Sequence, residues 1–380
     1  MDEFLRFVES KEPEMLDLLE RLVNIDSGTY NIDGVNICGR VVAAELEGLG
    51  FRTEVVEETE CGSHIRAERP GTGSKRVLLS AHLDTVFPKG TAVARPFRRQ
   101  GNLAFGPGVG DIKGGIVQML YALKTLHHHR RASPFLSVFL TADEEIGSIR
   151  GRPHIEEIAR RSTHVLVMEP ASTPESIAVR RWGIGSFYLT IHGKAAHVLK
   201  PDSEGVNACR ELALKILALE SLTNIQRGIK VSVNLVRGGR SRQVTAASAR
   251  ADIDVRIREA ALMEEVEEQI RQVAGAPILP GIRVNLEGGM TRPPMEPHRQ
   301  TEELFELAKE VAEAVNMKVA AVEEYGGSDG CFTSALGVAT LDALGPVCHD
   351  MCGDEERIEV ASLAPRTALL AGILQRLAES

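Results

Sequence analysis

The sequence predicts an α/β domain that is interrupted by a smaller α+β domain. In the first part of the chain, short apolar runs alternate with helical segments, and these runs lack the polar alternation of strands that have one exposed face. Near residue 180 the pattern changes to amphipathic strands and two helices, and beyond residue 290 the α/β pattern resumes. Because the two ends share one pattern, we expect the middle segment to be inserted into a single outer domain.

Residues 1–178 are predicted to form the first part of the outer domain. Leucines at helical spacing predict an opening helix that stops at Ile25, and a second helix is predicted over 37–49, before Gly50. A third helix is predicted over 114–127. The strand-like segments are 51–56, 64–68, 77–81, 135–140 and 164–168. Strands of this kind, separated by helices, indicate an open sheet.

Residues 179–289 are predicted to form the inserted domain. In chain order, its predicted elements are strand 186–192, helix 206–221, strands 231–236 and 249–257, helix 261–273 and strand 282–287. This order is that of a ferredoxin-like α+β sandwich. Residues 290–380 then complete the outer domain, and their predicted elements are a helix at 302–315, a strand at 318–322 and a helix at 362–378.

The composition excludes several classes of protein. Of the 380 residues, 43% are hydrophobic and 26% are charged, which is typical of a globular protein and not of a disordered chain. The net charge of −9 gives no general attraction for nucleic acid or anionic lipid, and no run reaches the ~20 apolar residues that span a bilayer. The N-terminal stretch lacks the pattern of a signal peptide, and the six cysteines are scattered. We therefore expect a cytoplasmic protein with reduced thiols, without nucleic-acid or membrane partners.

Acidic residues and one histidine follow the predicted buried strands and one glycine-rich turn. The candidate residues are His82, Asp84, Asp111, Glu144, Glu145 and Glu169. Each has an ordinary structural explanation when taken alone, such as a helix cap or an acidic surface turn. Ligands of open α/β sheets bind at the carboxyl ends of strands, however, and carboxylates with imidazole suit zinc or a similar divalent ion. Taken together, the residues predict a metal site, and several carboxylates allow a bridged pair of ions.

These residues stand in motifs that resemble those of the dinuclear zinc exopeptidases and deacylases. This is the family of bacterial glutamate carboxypeptidase, acetylornithine deacetylase and succinyl-diaminopimelate desuccinylase. The motifs lie at 81–86 (AHLDTV), 106–115 (GPGVGDIKGG), 143–148 (DEEIGS), 169–170 (EP) and 193–197 (GKAAH). The resemblance covers essentially the whole chain in order. It implies a catalytic domain with an open mixed sheet and an inserted ferredoxin-like domain that serves as a dimerisation domain or lid.

The resemblance implies two zinc ions per subunit, with Co²⁺ or Mn²⁺ as alternative ions. His82 and Glu169 would hold one ion, Glu145 would hold the other, and Asp111 would bridge them. Asp84 would orient His82. A small molecule or peptide with a free carboxylate would then be the substrate.

The resemblance also implies residues that act on the substrate. Glu144 would take the proton of the attacking water and pass it to the leaving nitrogen. His197 would reach the oxyanion from the partner subunit of a homodimer. Arg256 would grip the free carboxylate, although an ion pair with Asp252 or Asp254 is the structural alternative. The further substrate contacts implied are Arg292, Gly327 and Ser328.

The last metal ligand departs from the family pattern. The family has a histidine after a Gly-Pro turn, and here the corresponding stretch reads GPVCHDMCGDEER over 345–357. Alignment without a gap puts Cys352 at the ligand position, whereas a loop shift would be needed to bring in His349. A thiolate is an accepted zinc ligand, and it would leave the site less positive than a histidine would. Position favours Cys352, and a weak or missing second site is the third alternative.

Two other functions compete with amide hydrolysis by a metal. The stretch 326–330 (GGSDG) matches the motif of a serine hydrolase, with Ser328 followed in the chain by Asp342 and His349. Because the expected histidine ligand is missing, a second hypothesis is a binding protein that has the fold of the enzyme but weakened catalysis. We predict zinc-dependent hydrolysis of an N-acyl amino acid or small peptide in the manner of glutamate carboxypeptidase. Only this hypothesis accounts for the acidic residues in all of the turns.

Overall fold

A mixed six-stranded β-sheet forms the centre of the larger of two units into which the described chain divides. The computed structural model describes residues 1–201 and 204–379. The larger unit contains Met1–Arg180, Pro297–Glu324 and the chain from Ser328 onward. The second unit contains Arg181–Glu296 and Tyr325–Gly327.

The helices and strands cover most of both units. The α-helices are α1 (Asp2–Ser10), α2 (Glu12–Val23), α3 (Ile32–Gly48), α4 (Thr91–Ala94), α5 (Gly115–His128), α6 (Arg152–Ala159), α7 (Ala208–Glu220), α8 (Met263–Gly275), α9 (Arg299–Glu313), α10 (Gly330–Ala335) and α11 (Leu363–Glu379). The strands are β1 (Arg52–Val56), β2 (His64–Arg69), β3 (Arg76–His82), β4 (Arg98–Gln100), β5 (Leu103–Phe105), β6 (Phe135–Thr141), β7 (His164–Val167), β8 (Ser176–Arg181), β9 (Gly183–His192), β10 (Ile229–Gly238), β11 (Ser248–Ile257), β12 (Arg283–Arg292), β13 (Ala320–Glu324), β14 (Ala339–Leu341), β15 (Cys348–His349) and β16 (Arg357–Glu359). Among the described residues, no helix is both long and apolar enough to cross a membrane.

The central sheet of the larger unit has the strand order β1-β2-β6-β3-β7-β14. Strands β6, β3, β7 and β14 run parallel to one another, and β2 is antiparallel to both of its neighbours, β1 and β6. Val77 and Leu79 of β3 pack into the core on one face of the sheet, and Leu78 packs into a second cluster on the other. Since successive side chains of a strand point to opposite faces, a strand covered on both sides needs apolar residues throughout. The predicted mixed α/β architecture is therefore confirmed.

The opening of the chain differs from the single predicted helix. Two helices, α1 and α2, meet at Lys11, and Pro13 lies in the first turn of α2. Proline lacks the backbone N–H needed in a helix interior, so it is tolerated at a helix start and prevents one continuous helix. Helix α3 begins at Ile32, earlier than the predicted residue 37, because Gly34 obscures the helical pattern. A side chain at Gly34 would collide with the carbonyl oxygen of Asp26.

The second unit is a four-stranded antiparallel sheet with two helices. Its strand order is β10-β11-β9-β12, and the chain passes through β9, α7, β10, β11, α8 and β12 in turn, as predicted. Glu211 and Lys215 of α7 are fully buried, and they bond to backbone groups of the segment that leaves α8. Strand β12 runs on to Arg292, beyond the predicted 282–287. The main segment of this unit runs from Arg181 to Glu296, and the predicted bounds of the inserted domain are 179–289.

The parallel strands end at one edge of the central sheet. Strand β3 ends at His82, β6 at Thr141 and β7 at Val167. Because these three strands are parallel neighbours, the residues that follow them lie close together.

Candidate active site

His82 stands at the centre of a buried group of carboxylates. Its side chain is 1% exposed, and its Nε2 lies 3.0 Å from Asp111 Oδ1 and 3.5 Å from Glu169 Oε1. Its Nδ1 lies 3.0 Å from the backbone carbonyl of Asp84. Burial opposes charge on the ring, but the nearby carboxylates of Asp111, Asp84 and Glu169 raise the pKa of His82 well above its usual value. The contact with the Asp84 carbonyl turns Nε2 toward the two acids.

Glu145 belongs to this group, and one of its oxygens has no hydrogen-bond partner among the described residues. Ligand atoms of His82, Asp111 and Glu145 all lie within 4.8 Å of one another. Glu145 Oε1 is buried, and within the described chain it has no hydrogen-bond partner. Burial and the nearby Asp111 raise the pKa of Glu145 to about 10, and burial also raises the pKa of Glu169. Acids that resist ionisation in this way fit a divalent cation, which would offset both the burial and the mutual repulsion.

The carboxylate of Glu356 fixes the backbone of the turn that carries Asp111. Glu356 is 2% exposed, and it accepts hydrogen bonds from the N–H groups of Gly108 (3.1 Å), Gly110 (2.8 Å) and Asp111 (3.0 Å). Burial raises the pKa of Glu356 to about 7. Glu356 therefore sets the position of Asp111 from the other end of the chain.

Asp84 fixes the turn of Glu144 and Glu145 with its carboxylate. Asp84 Oδ1 accepts from the Glu144 N–H at 3.1 Å, and Oδ2 accepts from the Glu145 N–H at 3.2 Å. The distance from Asp84 Oδ1 to His82 Nδ1 is 3.5 Å, which is longer than a hydrogen bond. Asp84 thus contacts His82 through its carbonyl and the two glutamates through its carboxylate. Its own side chain is fully buried.

Of the two candidates for the last ligand position, Cys352 lies at the site. Cys352 Sγ is 3.1 Å from Asp111 Oδ2. His349 Nε2 is 2.8 Å from Glu359 Oε1 in a separate ion pair. Burial, followed by the charge of Asp111, raises the pKa of the Cys352 thiol above its ordinary value. Cys352, and not His349, therefore contacts Asp111, and its role as a metal ligand stays a prediction.

The serine-hydrolase residues do not form a catalytic triad. Ser328 is fully buried, and its hydroxyl donates directly to the carboxylate of Asp342. A triad requires a histidine between the serine and the acid, but His349 bonds to Glu359 instead. Ser328 also accepts a hydrogen bond from the Gly330 N–H at the start of α10, and its role as a substrate contact stays a prediction.

Arg256 and Gly327 make their described contacts within the second unit. Arg256 Nε and Nη2 lie 2.9 and 3.0 Å from the two oxygens of Asp254, which is the ion pair that the sequence left open. A Cβ atom on Gly327 would lie 2.9 Å from Cδ of Arg292, so this glycine packs closely on the arginine.

His197 lies in an exposed segment of the second unit. Its Nδ1 accepts from the Leu199 N–H at 3.3 Å. Its role stays a prediction, as do the substrate-binding roles of Arg256, Arg292 and Gly327.

Sequence reasoning missed Arg366, which is 1% exposed in α11. Its guanidinium donates to the backbone carbonyls of Gly345, Pro174, Ser176 and Ala343. The Gly345 N–H in turn donates to the carbonyl of Glu169 at 2.8 Å, so Arg366 supports the turn that leads from Glu169 to Cys352. Burial lowers the pKa of Arg366 to about 10. Arg366 is one of two arginines in the mostly apolar helix α11, and it stands among apolar residues near the start of that helix, which was the signal in the sequence.

A cleft opens beside Glu145 in the larger unit. Its volume is about 630 Å³, which is within the range of small-molecule sites. Its walls include Tyr30, Val86, Pro88 and Ile146. A small substrate therefore has room next to the carboxylates.

Comparisons with known proteins identify the family of the chain. Residues 78–376 match the family described as peptidase family M20/M25/M40. The chain is 29% identical over 373 residues to carboxypeptidase G2 of Pseudomonas sp., covering 96% of this chain and 89% of that protein. It is 28% identical over 353 residues to succinyl-diaminopimelate desuccinylase of Wolinella succinogenes, covering 87% of this chain and 91% of that protein. Its fold is similar to that of a tripeptidase from Staphylococcus aureus, with a TM-score of 0.82, 19% identity and coverage of 97% and 99% of the two chains.

The match spans most of the larger unit and all of the second, and it includes every residue of the buried cluster. The chain therefore belongs to peptidase family M20/M25/M40, whose members are enzymes that hydrolyse peptide or amide bonds.

Proposed function

We propose that this protein is a zinc-dependent hydrolase that cleaves the amide bond of an N-acyl amino acid or small peptide with a free carboxylate. One observation carries the proposal. His82, Asp111, Glu145 and Glu169 converge in one buried cluster, and Glu144 adjoins Glu145 at its edge. This is the donor set of a divalent metal site with one carboxylate to spare for proton transfer.

The residues divide between two metal positions. His82 and Glu169 would hold one zinc ion, Glu145 and Cys352 the other, and Asp111 would serve both, since its two oxygens face His82 and Cys352 respectively. Bound zinc supplies Lewis acidity, which polarises the substrate carbonyl and makes water a better nucleophile. Co²⁺ or Mn²⁺ would suit the same oxygen and nitrogen donors.

Glu144 is the proposed general base and acid. It takes a proton from the attacking water and delivers it to the leaving nitrogen. Its backbone N–H is held by Asp84, so the turn is fixed before substrate arrives. The adjacent Glu145 faces the cluster, which separates the two glutamates into a ligand and a proton carrier.

The substrate carboxylate is the proposed partner of Arg256. The pair with Asp254 engages Nε and Nη2 of Arg256, and the edge of the guanidinium that carries Nη1 takes no part in it. A planar guanidinium can serve two carboxylates in this way. Arg292 and the backbone of Gly327 are the further proposed contacts.

The proposed active form is a cytoplasmic homodimer that associates through the second unit. Strand β10 lies at an edge of its sheet, and Leu235 and Val236 on it are about half exposed. Leu217 of α7, which packs on β10, is 72% exposed. An open strand edge beside exposed leucines is suited to pairing with a second copy of the chain. His197 of the partner subunit is the proposed donor to the oxyanion.

Hydrolysis of a substrate panel tests the proposal. The panel contains N-acyl amino acids and dipeptides, each with a free and an amidated carboxyl terminus, and each is assayed with and without a chelator. We expect turnover of the free acids only, its loss with chelator, and its loss in Glu144→Gln. Bound zinc without turnover of any substrate would instead favour a binding protein on this scaffold. Activity that resists the chelator and disappears in Ser328→Ala would favour a serine hydrolase.

A further inference from the structure

Asp84 receives a buried hydrogen bond from a residue far away in the chain. Thr29 Oγ1 donates to Asp84 Oδ2 at 2.7 Å, and Thr29 is 5% exposed. The same oxygen accepts from the Glu145 N–H, and the other oxygen accepts from the Glu144 N–H. Three donors therefore converge on one buried carboxylate, and two of them belong to the turn that carries the proposed base.

The backbone around Thr29 is tied to the segment that follows β3. The Thr85 N–H donates to Ser27 O at 2.9 Å, and the Thr29 N–H donates to Thr85 O at 3.2 Å. A Cβ atom on Gly28 would lie 2.2 Å from the carbonyl oxygen of Phe87, so the two segments approach too closely for any side chain at Gly28. The hydroxyl of Thr29 is consequently aimed at Asp84 by the fold.

We propose that Thr29 is a positioning residue that fixes the rotation of the Asp84 carboxylate, and through it the turn of Glu144 and Glu145. This inference rests on the proposed function, because it concerns the same site. A carboxylate rotates about its Cβ–Cγ bond, and two long contacts of 3.1 and 3.2 Å hold it less firmly than three contacts do. The short hydrogen bond from Thr29 is the third contact that holds the Asp84 carboxylate. Without it, Asp84 can turn toward His82 Nδ1, which lies only 3.5 Å from Oδ1.

The consequence for catalysis is a displacement of Glu144, and zinc binding is retained because the contacts of His82 with Asp111 and Glu169 do not involve the Asp84 carboxylate. His82 keeps its contact with the Asp84 carbonyl, because that contact does not involve the carboxylate. Proton transfer is sensitive to the placement of the base, so a small shift of the turn lowers kcat more than it changes KM.

The test compares Thr29→Val, Thr29→Ser and a control, Thr125→Val. Valine has the shape of threonine without its hydroxyl, and serine keeps the hydroxyl. Thr125 is an equally buried threonine whose hydroxyl bonds to Tyr121 O within α5. The full-length chain is loaded with zinc, and kcat, KM and bound zinc are measured on one N-acyl amino acid.

We expect Thr29→Val to lower kcat about tenfold or more, with KM within about twofold and bound zinc unchanged. Thr29→Ser should recover to within about threefold of the unmodified protein, and Thr125→Val should match it. Equal activity of Thr29→Val and Thr125→Val, or equal losses in Thr29→Val and Thr29→Ser, would overturn the proposal. Loss of zinc in proportion to activity would also overturn it.

Amide hydrogen exchange gives a readout that is independent of activity. In peptides spanning 142–148, Thr29→Val should speed exchange at the Glu144 and Glu145 amides at least about threefold, whereas Thr29→Ser and Thr125→Val should not. If the unmodified protein hydrolyses nothing, the proposed function fails and exchange alone decides this inference. Unchanged exchange in Thr29→Val would overturn it even in an active enzyme.

Discussion

The thiol of Cys352, the predicted last metal ligand, donates to Asp111 Oδ2 across 3.1 Å. His349, the alternative ligand that the sequence offered, instead forms a hydrogen bond with Glu359. Loss of the thiol proton on metal binding would turn this contact into a shared metal site, because the thiolate is the form that binds zinc.

Replacement of Cys352 should remove one of the two zinc ions. We expect Cys352→Ala to retain about one zinc per chain where the unmodified protein holds about two, because only the second position loses a ligand. Elemental analysis of the purified proteins measures this. His349→Asn is the matched control and should keep its full zinc content. Loss of zinc in His349→Asn and not in Cys352→Ala would contradict the assignment.

Removal of Glu356 should loosen the turn that carries Asp111. Glu356→Ala deletes the acceptor for three buried N–H groups, and we expect a loss of about 3 kcal/mol in the free energy of unfolding together with weaker zinc binding. Glu356→Gln keeps one oxygen acceptor, so its losses of stability and zinc binding should be smaller than those of Glu356→Ala. Urea denaturation and zinc titration measure both effects. Glu355→Ala, an exposed neighbour paired with Arg98, should change neither, and an equal effect of the two alanine variants would count against the role of Glu356.

Arg366 should be required for stability. Arg366→Met leaves four carbonyl groups, three of them in buried hydrogen bonds, without their donor, and we expect it to lose at least about 3 kcal/mol. Arg376→Met on the same helix removes only an exposed pair with Glu310 and should lose under about 0.5 kcal/mol. Urea denaturation compares the two. Similar losses would mean that the buried guanidinium contributes little.

Stability should fall in acid partly because His64 is buried. Burial, followed by the charge of His154, lowers the pKa of His64 to about 4, and its Nδ1 accepts from the Ala142 N–H at 3.0 Å. Because its pKa is lower in the folded chain, the unfolded chain binds more protons here, and the contribution is lost as pH falls from about 6.5 to about 4. The loss is roughly 3 kcal/mol.

The slope of stability against pH isolates this contribution. His64→Asn keeps an acceptor for Ala142 and cannot be protonated, so its stability should depend less on pH in that window. Urea denaturation of chelator-treated protein between pH 4 and 7 measures the slope. The exposed His127→Asn should keep the original slope, and an unchanged slope in His64→Asn would show that His64 is not responsible.

Much of the fold could be predicted because the strands of the central sheet are apolar on both faces. Val77, Leu78 and Leu79 carry that pattern, and His82 follows it directly. The buried cluster of His82 and the carboxylates was predictable for the same reason, since each of its members stands next to a strong local pattern or motif. The division of α1 from α2 was missed because one proline outweighs a continuous leucine pattern.

The supporting contacts could not be predicted, because they join residues that are distant in the chain. Thr29 and Asp84 are 55 residues apart, and Glu356 lies 245 residues from Asp111. Thr29 and Glu356 are ordinary polar residues when considered locally, and only the fold gives them their acceptors and donors. The sequence placed both Cys352 and His349 near the site, but which of them contacts Asp111 depended on the path of the loop.

Zinc titration of the metal-free protein tests most directly whether the buried acids exist to hold paired cations. Chelator-treated protein should hydrolyse no N-acyl amino acid, and activity should appear as zinc is added and level off near two equivalents per chain. Glu144→Gln should bind the same zinc and remain inactive. Activity that is complete without metal, or a chain that takes up no zinc at His82, Asp111, Glu145 and Glu169, would contradict the account.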